Sequence, residues 1–224
     1  KMRIFLIILL CTPVLSLAYP VDSSFGFGSG YTWTEATFDE PITSIGDTTQ
    51  TPSYSSVENN NLPWNLFASF RFHKNYGVEL GYIDYGTIKF ERTFTTEVGG
   101  EFSGSATRRA SISTQGFYIS HVLFIPVFQN LDIQAKAGLL FGTNEYKETE
   151  NRITTDNGEP DIQPSNLTNT SRAISKPQFS LGLLYQYQPD WRLRLQLNQI
   201  EYEHIEEKET FSQWFTSFSF ERNF

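Results

Sequence analysis

The stretch "FSQWFTSFSFERNF", Phe211 to Phe224, alternates two unlike faces. Trp214, Thr216, Phe218, Phe220 and Arg222 fall on one face, and Gln213, Phe215, Ser217, Ser219, Glu221 and Asn223 fall on the other. A period of two is that of a β-strand. An open strand this aromatic would invite aggregation in water. The stretch therefore predicts a strand that closes a barrel in a membrane, where each backbone group finds a partner on a neighbouring strand.

Seven segments upstream alternate in the same way. In the first, Phe25, Phe27, Tyr31 and Trp33 oppose Gly26, Gly28, Gly30, Thr32 and Thr34. The second sets Trp64, Leu66, Ala68, Phe70 and Phe72 against Asn65, Phe67, Ser69 and Arg71. A tight turn at Lys74 and Asn75 leads to the third, with Val78, Leu80 and Tyr82 outward and Gly77, Glu79 and Gly81 inward. A turn symmetric about Asn75 would make Arg71 and Glu79 cross-strand neighbours. The fourth, Ser111 to Ile125, is apolar on both faces, which leaves open whether Phe117, Ile119 and Leu123 or Tyr118, Val122 and Phe124 meet lipid.

After a short turn over Pro126 to Asn130, the fifth segment sets Ile133, Ala135, Ala137, Leu139 and Phe141 against Gln134, Lys136, Gly138 and Leu140. The sixth puts Phe179, Leu181, Leu183, Tyr185 and Tyr187 outward, and Pro189-Asp190 turns the chain. The seventh sets Trp191, Leu193, Leu195 and Leu197 against Arg192, Arg194, Gln196 and Asn198. Between these segments, residues 39–61 and 144–175 read as long loops rich in turn formers and acids, and a short acidic loop spans about Glu203 to Glu209. Residues 89–110 read as another loop, with extension of the flanking strands into it as the alternative.

The expected fold is all-β: an eight-stranded antiparallel up-and-down transmembrane β-barrel, with connections alternately long and short. Trp33, Trp64, Tyr76, Tyr187, Trp191 and Trp214 lie near strand ends, as an aromatic girdle requires. A mean hydropathy of −0.34 beside 16% aromatic residues fits a chain that averages a lipid face against a polar lumen.

Residues 1–18 have the three parts of a secretory signal peptide: basic Lys1 to Arg3, apolar Ile4 to Leu10, and a small-residue site ending at Ala18. Cleavage there leaves a single domain, 19–224, and takes the net charge from −8 to −10 by removing Lys1 and Arg3. That balance argues against nucleic acid as a partner. Cys11, the only cysteine, lies in the removed segment and follows Leu10 rather than the small residue a lipoprotein site would have, so no disulfide is expected.

The segments "RFHKNYGVELGYIDYG" (Arg71 to Gly86), "QAKAGLLFG" (Gln134 to Gly142) and "FSFERNF" (Phe218 to Phe224) resemble the small OmpA-like and OmpX-like outer-membrane proteins of the porin family. In size and type the chain is also similar to accessory colonisation factors. The resemblance implies a Gram-negative outer membrane, lipid and lipopolysaccharide as surroundings, and passage through the barrel-assembly machinery. It places the assembly signal on Phe218, Phe220 and Phe224, with Arg222 departing from the usual apolar preference. No peptidoglycan-binding domain is expected after Phe224.

An eight-stranded barrel is just wide enough for side chains to fill. The inward set Arg71, Glu79, Lys136, Arg192, Arg194, Gln196 and Asn198 reads as a closed ionic core in preference to a narrow polar path, since buried charges persist when paired. Related barrels include lipid-modifying enzymes, which need a His with a Ser and a carboxylate in reach. The histidines here are His73, His121 and His204; Ser120 and His121 are adjacent and so point to opposite faces. The acidic run after residue 144 lacks EF-hand spacing and reads as a solvated surface. No enzymatic role, metal or cofactor is expected. A soluble lipocalin is the structural rival, but the Gly-rich inner face of the first strand leaves little to form an apolar pocket. The expected function is a structural or surface-interaction scaffold whose outer loops serve adhesion to an unidentified ligand or host receptor, or envelope stability. A narrow channel ranks second and a lipid-modifying enzyme third.

Overall fold

The computed structural model describes residues 22–37, 43–45, 48–59, 62–98, 101–156, 159–204 and 209–224. The expected signal segment 1–18 lies outside them. The strands are β1 (Asp22–Thr37), β2 (Thr43–Ile45), β3 (Thr48–Asn59), β4 (Trp64–His73), β5 (Tyr76–Val98), β6 (Glu101–Phe128), β7 (Leu131–Asp156), β8 (Glu159–Gln188), β9 (Trp191–His204) and β10 (Glu209–Asn223).

Eight of them form a ring. Its order is β1, β4, β5, β6, β7, β8, β9, β10 and back to β1, with every neighbour antiparallel. The closing strand pairs with the first as the alternation requires, Phe25 opposite Arg222 and Thr34 opposite Gln213. At Gly30, paired with Ser217, the two backbones come so close that a Cβ would meet the carbonyl oxygen of Thr216. Only glycine fits that approach without displacing β10.

The outer surface is apolar. Phe27, Phe117, Leu195 and Phe220 are among many large hydrophobic side chains left exposed around the ring. In water such a surface would associate; in a bilayer it is the lipid band. The fourth segment resolves with Phe117, Ile119 and Leu123 outward and Tyr118, Val122 and Phe124 buried inside. Sequence alternation could not choose because both faces are apolar, and the choice falls to β6's neighbours: Ile119 lies level with Leu80 and Leu139, both already outward.

Two stretches expected as loops, within 39–61 and 144–175, are strands, and over 89–110 the alternative of extended flanking strands holds. Residues 48–59 form β3, which runs beside the upper part of β5 from Ile88 to Val98. β5 and β6 continue as a hairpin to Val98 and Glu101, and β7 and β8 continue to Asp156 and Glu159. A polar Thr- and Ser-rich composition does not mean loss of the ladder; Thr is a good strand former. Thr93 and Thr107 illustrate this, opposite each other with hydroxyls 3.4 Å apart. The second short turn is also tighter than expected, at Gln129–Asn130, because β6 pairs through to Phe128.

Inside β5 the alternation changes phase. The register with β6 skips between Asp84 and Thr87, Gly86 takes a φ of 77°, and its N–H donates to Asp84 Oδ1 at 2.8 Å. This glycine bulge follows Ile83 and Tyr85 and precedes Ile88, so that all three point inward.

Candidate functional site: the barrel lumen

The lumen is filled in layers. Glu79 on β5 sits at its centre, fully buried, and accepts from Lys136 Nζ on β7 at 2.7 Å and from Arg194 Nη1 on β9 at 2.5 Å. The Tyr118 hydroxyl on β6 donates to the same carboxylate at 2.8 Å. Arg194 also forms an ion pair with Glu221 on β10, which accepts from Ser24 on β1 at 3.0 Å. Lys136 donates to Gln196 at 2.6 Å, and Gln196 donates to Asn198. The guanidinium of Arg194 lies over the ring of Phe67, 4.1 Å from its centroid.

Two carboxylates and two cations thus balance in a site closed to water. Buried charges of this kind need pairing and further hydrogen bonds to offset desolvation, and the phenol, amides and hydroxyl around them provide those bonds. Alternation along β5, β7 and β9 is what delivers each charged side chain to the axis.

Toward the long hairpins an apolar layer seals the network: Phe67, Ile83, Tyr85, Leu140, Ile200 and Phe215 pack with Ile112 and Tyr146. Toward the short turns, Val122, Phe124 and Leu184 form a second apolar layer. The lumen is therefore less polar than the sequence reading supposed. Phe67, Leu140 and Phe215 fall on the inward faces read from sequence, while the bulge at Gly86 conceals Ile88 and the ambiguity of the fourth segment conceals Tyr118 and Ile112.

Of the inward set, Glu79, Lys136, Arg194, Gln196 and Asn198 join this network, and two members do not. Arg71 is not beside Glu79. Its cross-strand partner is Gly77, while Glu79 faces Ser69, because the turn is the two residues Lys74–Asn75 with a register shift between Arg71 and His73. Arg71 instead bonds Asp132 at 3.0 Å and the carbonyl of Lys74, and lies over Phe124. Arg192 pairs with Asp22 at the turn end. Glu221, Tyr118 and Ser24 are functional members that sequence reasoning missed. Glu221 was within reach of it, standing on the inward face of the closing strand.

Of the girdle set, Trp33 and Trp214 stack across β1 and β10 with centroids 6.1 Å apart, and Trp64 contacts Tyr82 at 5.4 Å. Tyr76, Tyr187 and Trp191 flank short turns. Phe218, Phe220 and Phe224 are exposed on the outer face of β10 or just beyond it. Arg222 lies 5.8 Å from the centroids of both Trp191 and Phe224, an aromatic setting at the turn end where a long cationic side chain can reach the interface.

His121 points outward and meets the Tyr76 hydroxyl at 2.5 Å, whereas Ser120 is buried inside. The two do not meet. His73 lies at the first turn, and the side chain of His204 is outside the described residues.

Among solved structures, the chain is similar to Ail, the attachment invasion locus protein of Yersinia pestis, solved with the heparin analogue sucrose octasulfate, at 11% identity over 91% of this chain and 100% of that one, with a TM-score of 0.43. It is similar also to the outer membrane protein OprG of Pseudomonas aeruginosa, at 12% identity over 92% and 98% of the two chains, TM-score 0.36. No curated protein matches it in sequence. Residues 21–221 match the OmpA-like transmembrane domain. The chain belongs to that family and is an outer-membrane β-barrel.

Proposed function

We propose that this protein is a closed structural scaffold of the Gram-negative outer membrane, exported by way of residues 1–18, whose projecting hairpins make contact at the cell surface. Phe218, Phe220 and Phe224 serve the barrel-assembly machinery in this reading, and lipid and lipopolysaccharide surround the barrel. The carrying observation is the lumen: Glu79 and Arg194 are wholly buried and capped by apolar layers on both sides, which weighs against passage of solutes.

The hairpins supply the interacting surface. β8 pairs with β9 only from Gln178 onward, after Pro177, which lacks the N–H to extend the ladder. From Glu159 to Pro177 it pairs, among the described residues, with β7 alone, an edge that an extended partner segment could join. Three of the four outer segments are acidic: Asp39, Glu40, Asp47 and Glu58 stand without a Lys or Arg in 38–61, Glu145, Glu148, Glu150, Asp156, Glu159 and Asp161 against Lys147, Arg152 and Arg172 in 144–175, and Glu201, Glu203, Glu206, Glu207 and Glu209 against Lys208, while 89–110 sets Lys89, Arg92, Arg108 and Arg109 against Glu91, Glu97 and Glu101. A sulfated polyanion such as the one bound to Ail is poorly matched to that end, and a cationic partner is well matched.

The test compares cells displaying the full chain with cells displaying a variant in which residues 145–172 are replaced by a short turn. Adhesion to a polycationic surface should fall in the variant while its barrel still folds. Equal adhesion by both would sink the surface-contact reading.

A further inference from the structure

At the end built from the short turns, the wall holds an open-sided pocket of about 180 Å³. Arg71 and Arg192 line it, with Gln129, Asn130 and Gln186 between them and Leu184 at its floor. The rim is tied strand to strand. Gln186 N–H donates to the carbonyl of Asn130, Phe124 N–H to that of Asn75, and Asn223 N–H to that of Asp190, each at 2.9 Å. The cavity is thus preformed, and the apolar layer of Val122, Phe124 and Leu184 separates it from the ionic network above.

Its lining is rich in donors. Arg192 is only 9% exposed, and among the described residues it spends one N–H on Asp22. Arg71 uses Nε and Nη2 on the carbonyl of Lys74 and Nη1 on Asp132, which leaves two of its five N–H groups. The side-chain amides of Gln129 and Asn130 add further donors. Against this stands Asp132, which already accepts from Arg71. The wider end carries Arg71, Lys74, Arg192 and Arg222 against Asp22, Asp132 and Asp190, in contrast to the acidic hairpin end. The volume equals roughly six water molecules at liquid density, enough for a phosphate or carboxylate group.

We propose that this cavity is a binding site for a small oxyanion, a carboxylate or phosphate borne by a periplasmic molecule, with Arg192 as its principal ligand and Gln129 and Asn130 completing the donor set. Guanidinium groups suit this chemistry because their planar fork meets two oxygens at once. The site does not depend on what the hairpins bind.

The test uses the whole barrel refolded in a neutral maltoside detergent in chloride buffer. Side-chain N–H resonances of Arg192 and Asn130 are followed by NMR while inorganic phosphate, and separately acetate, is added. Saturable shifts with phosphate alone point to a phosphate carrier, with acetate alone to a carboxylate carrier, and with both to general oxyanion capture; each supports the site. Arg192→Gln should weaken binding about tenfold, the scale of one charge-assisted contact. Gln129→Ala, at an exposed turn and free of ion pairs, should weaken it less and keeps the test decisive if Arg192→Gln folds poorly. Shifts that stay linear with both anions, or that are unchanged in Gln129→Ala and in any folded Arg192→Gln, would overturn the proposal.

Discussion

Glu79 and Arg194 meet at 2.5 Å across the full width of the lumen, from β5 and β9, strands with three others between them on either side of the ring. The pair therefore holds opposite walls together. Replacing Glu79 by Gln removes the charge that Lys136 and Arg194 share and turns one of its two acceptor oxygens into a donor, and loss of one partner from such a network costs about 3–5 kcal/mol. Urea unfolding in vesicles should show a drop of that order for Glu79→Gln; an unchanged midpoint would mean the charges are solvated and the lumen is open.

Ring closure depends on a backbone contact. With Thr216 and Ser217 pressed against Gly30, Gly30→Val has no room except by parting β1 from β10. Overpacking of this kind costs about 1–3 kcal/mol or more. The yield of the compact, heat-modifiable form on gels should fall sharply, and wild-type yield would show that the two strands are not so closely joined.

The outward face of β6 is the part of the lipid band that alternation could not assign. Ile119, level with Leu80 and Leu139, should tolerate Arg badly, at about 2–4 kcal/mol if it lies near the bilayer midplane. Reversible folding into vesicles would measure it. A neutral Ile119→Arg would place that residue outside the hydrocarbon.

His121 bonds Tyr76 on the outside while Ser120 is inside, so no nucleophile and base are brought together there. Lipid A from cells expressing His121→Ala and from cells expressing the wild type should give the same mass spectrum. A modification present only with His121 would establish an enzyme and displace the scaffold reading.

Much of the barrel was legible because a period of two needs no tertiary information: Phe27, Leu195 and Phe220 had to face one way and Arg194 and Ser219 the other. What escaped has physical causes. β6 is apolar on both faces because the lumen itself is partly apolar, a fact visible only once Tyr85, Phe215 and Leu140 are packed together. The Arg71 to Glu79 pairing fails by two residues of register, since register in a hairpin is set by turn length rather than by side-chain charge. The extended hairpins were hidden by composition: Thr93 and Thr107 look like loop residues until they are seen to face each other in a ladder.

The side chains of this outer-membrane barrel plug its own lumen. Planar-bilayer recording of the refolded, heat-modifiable protein tests it most directly. A plugged barrel gives no unitary conductance steps at neutral pH in molar salt; reproducible steps of one size, scaling with protein added, would show an open lumen.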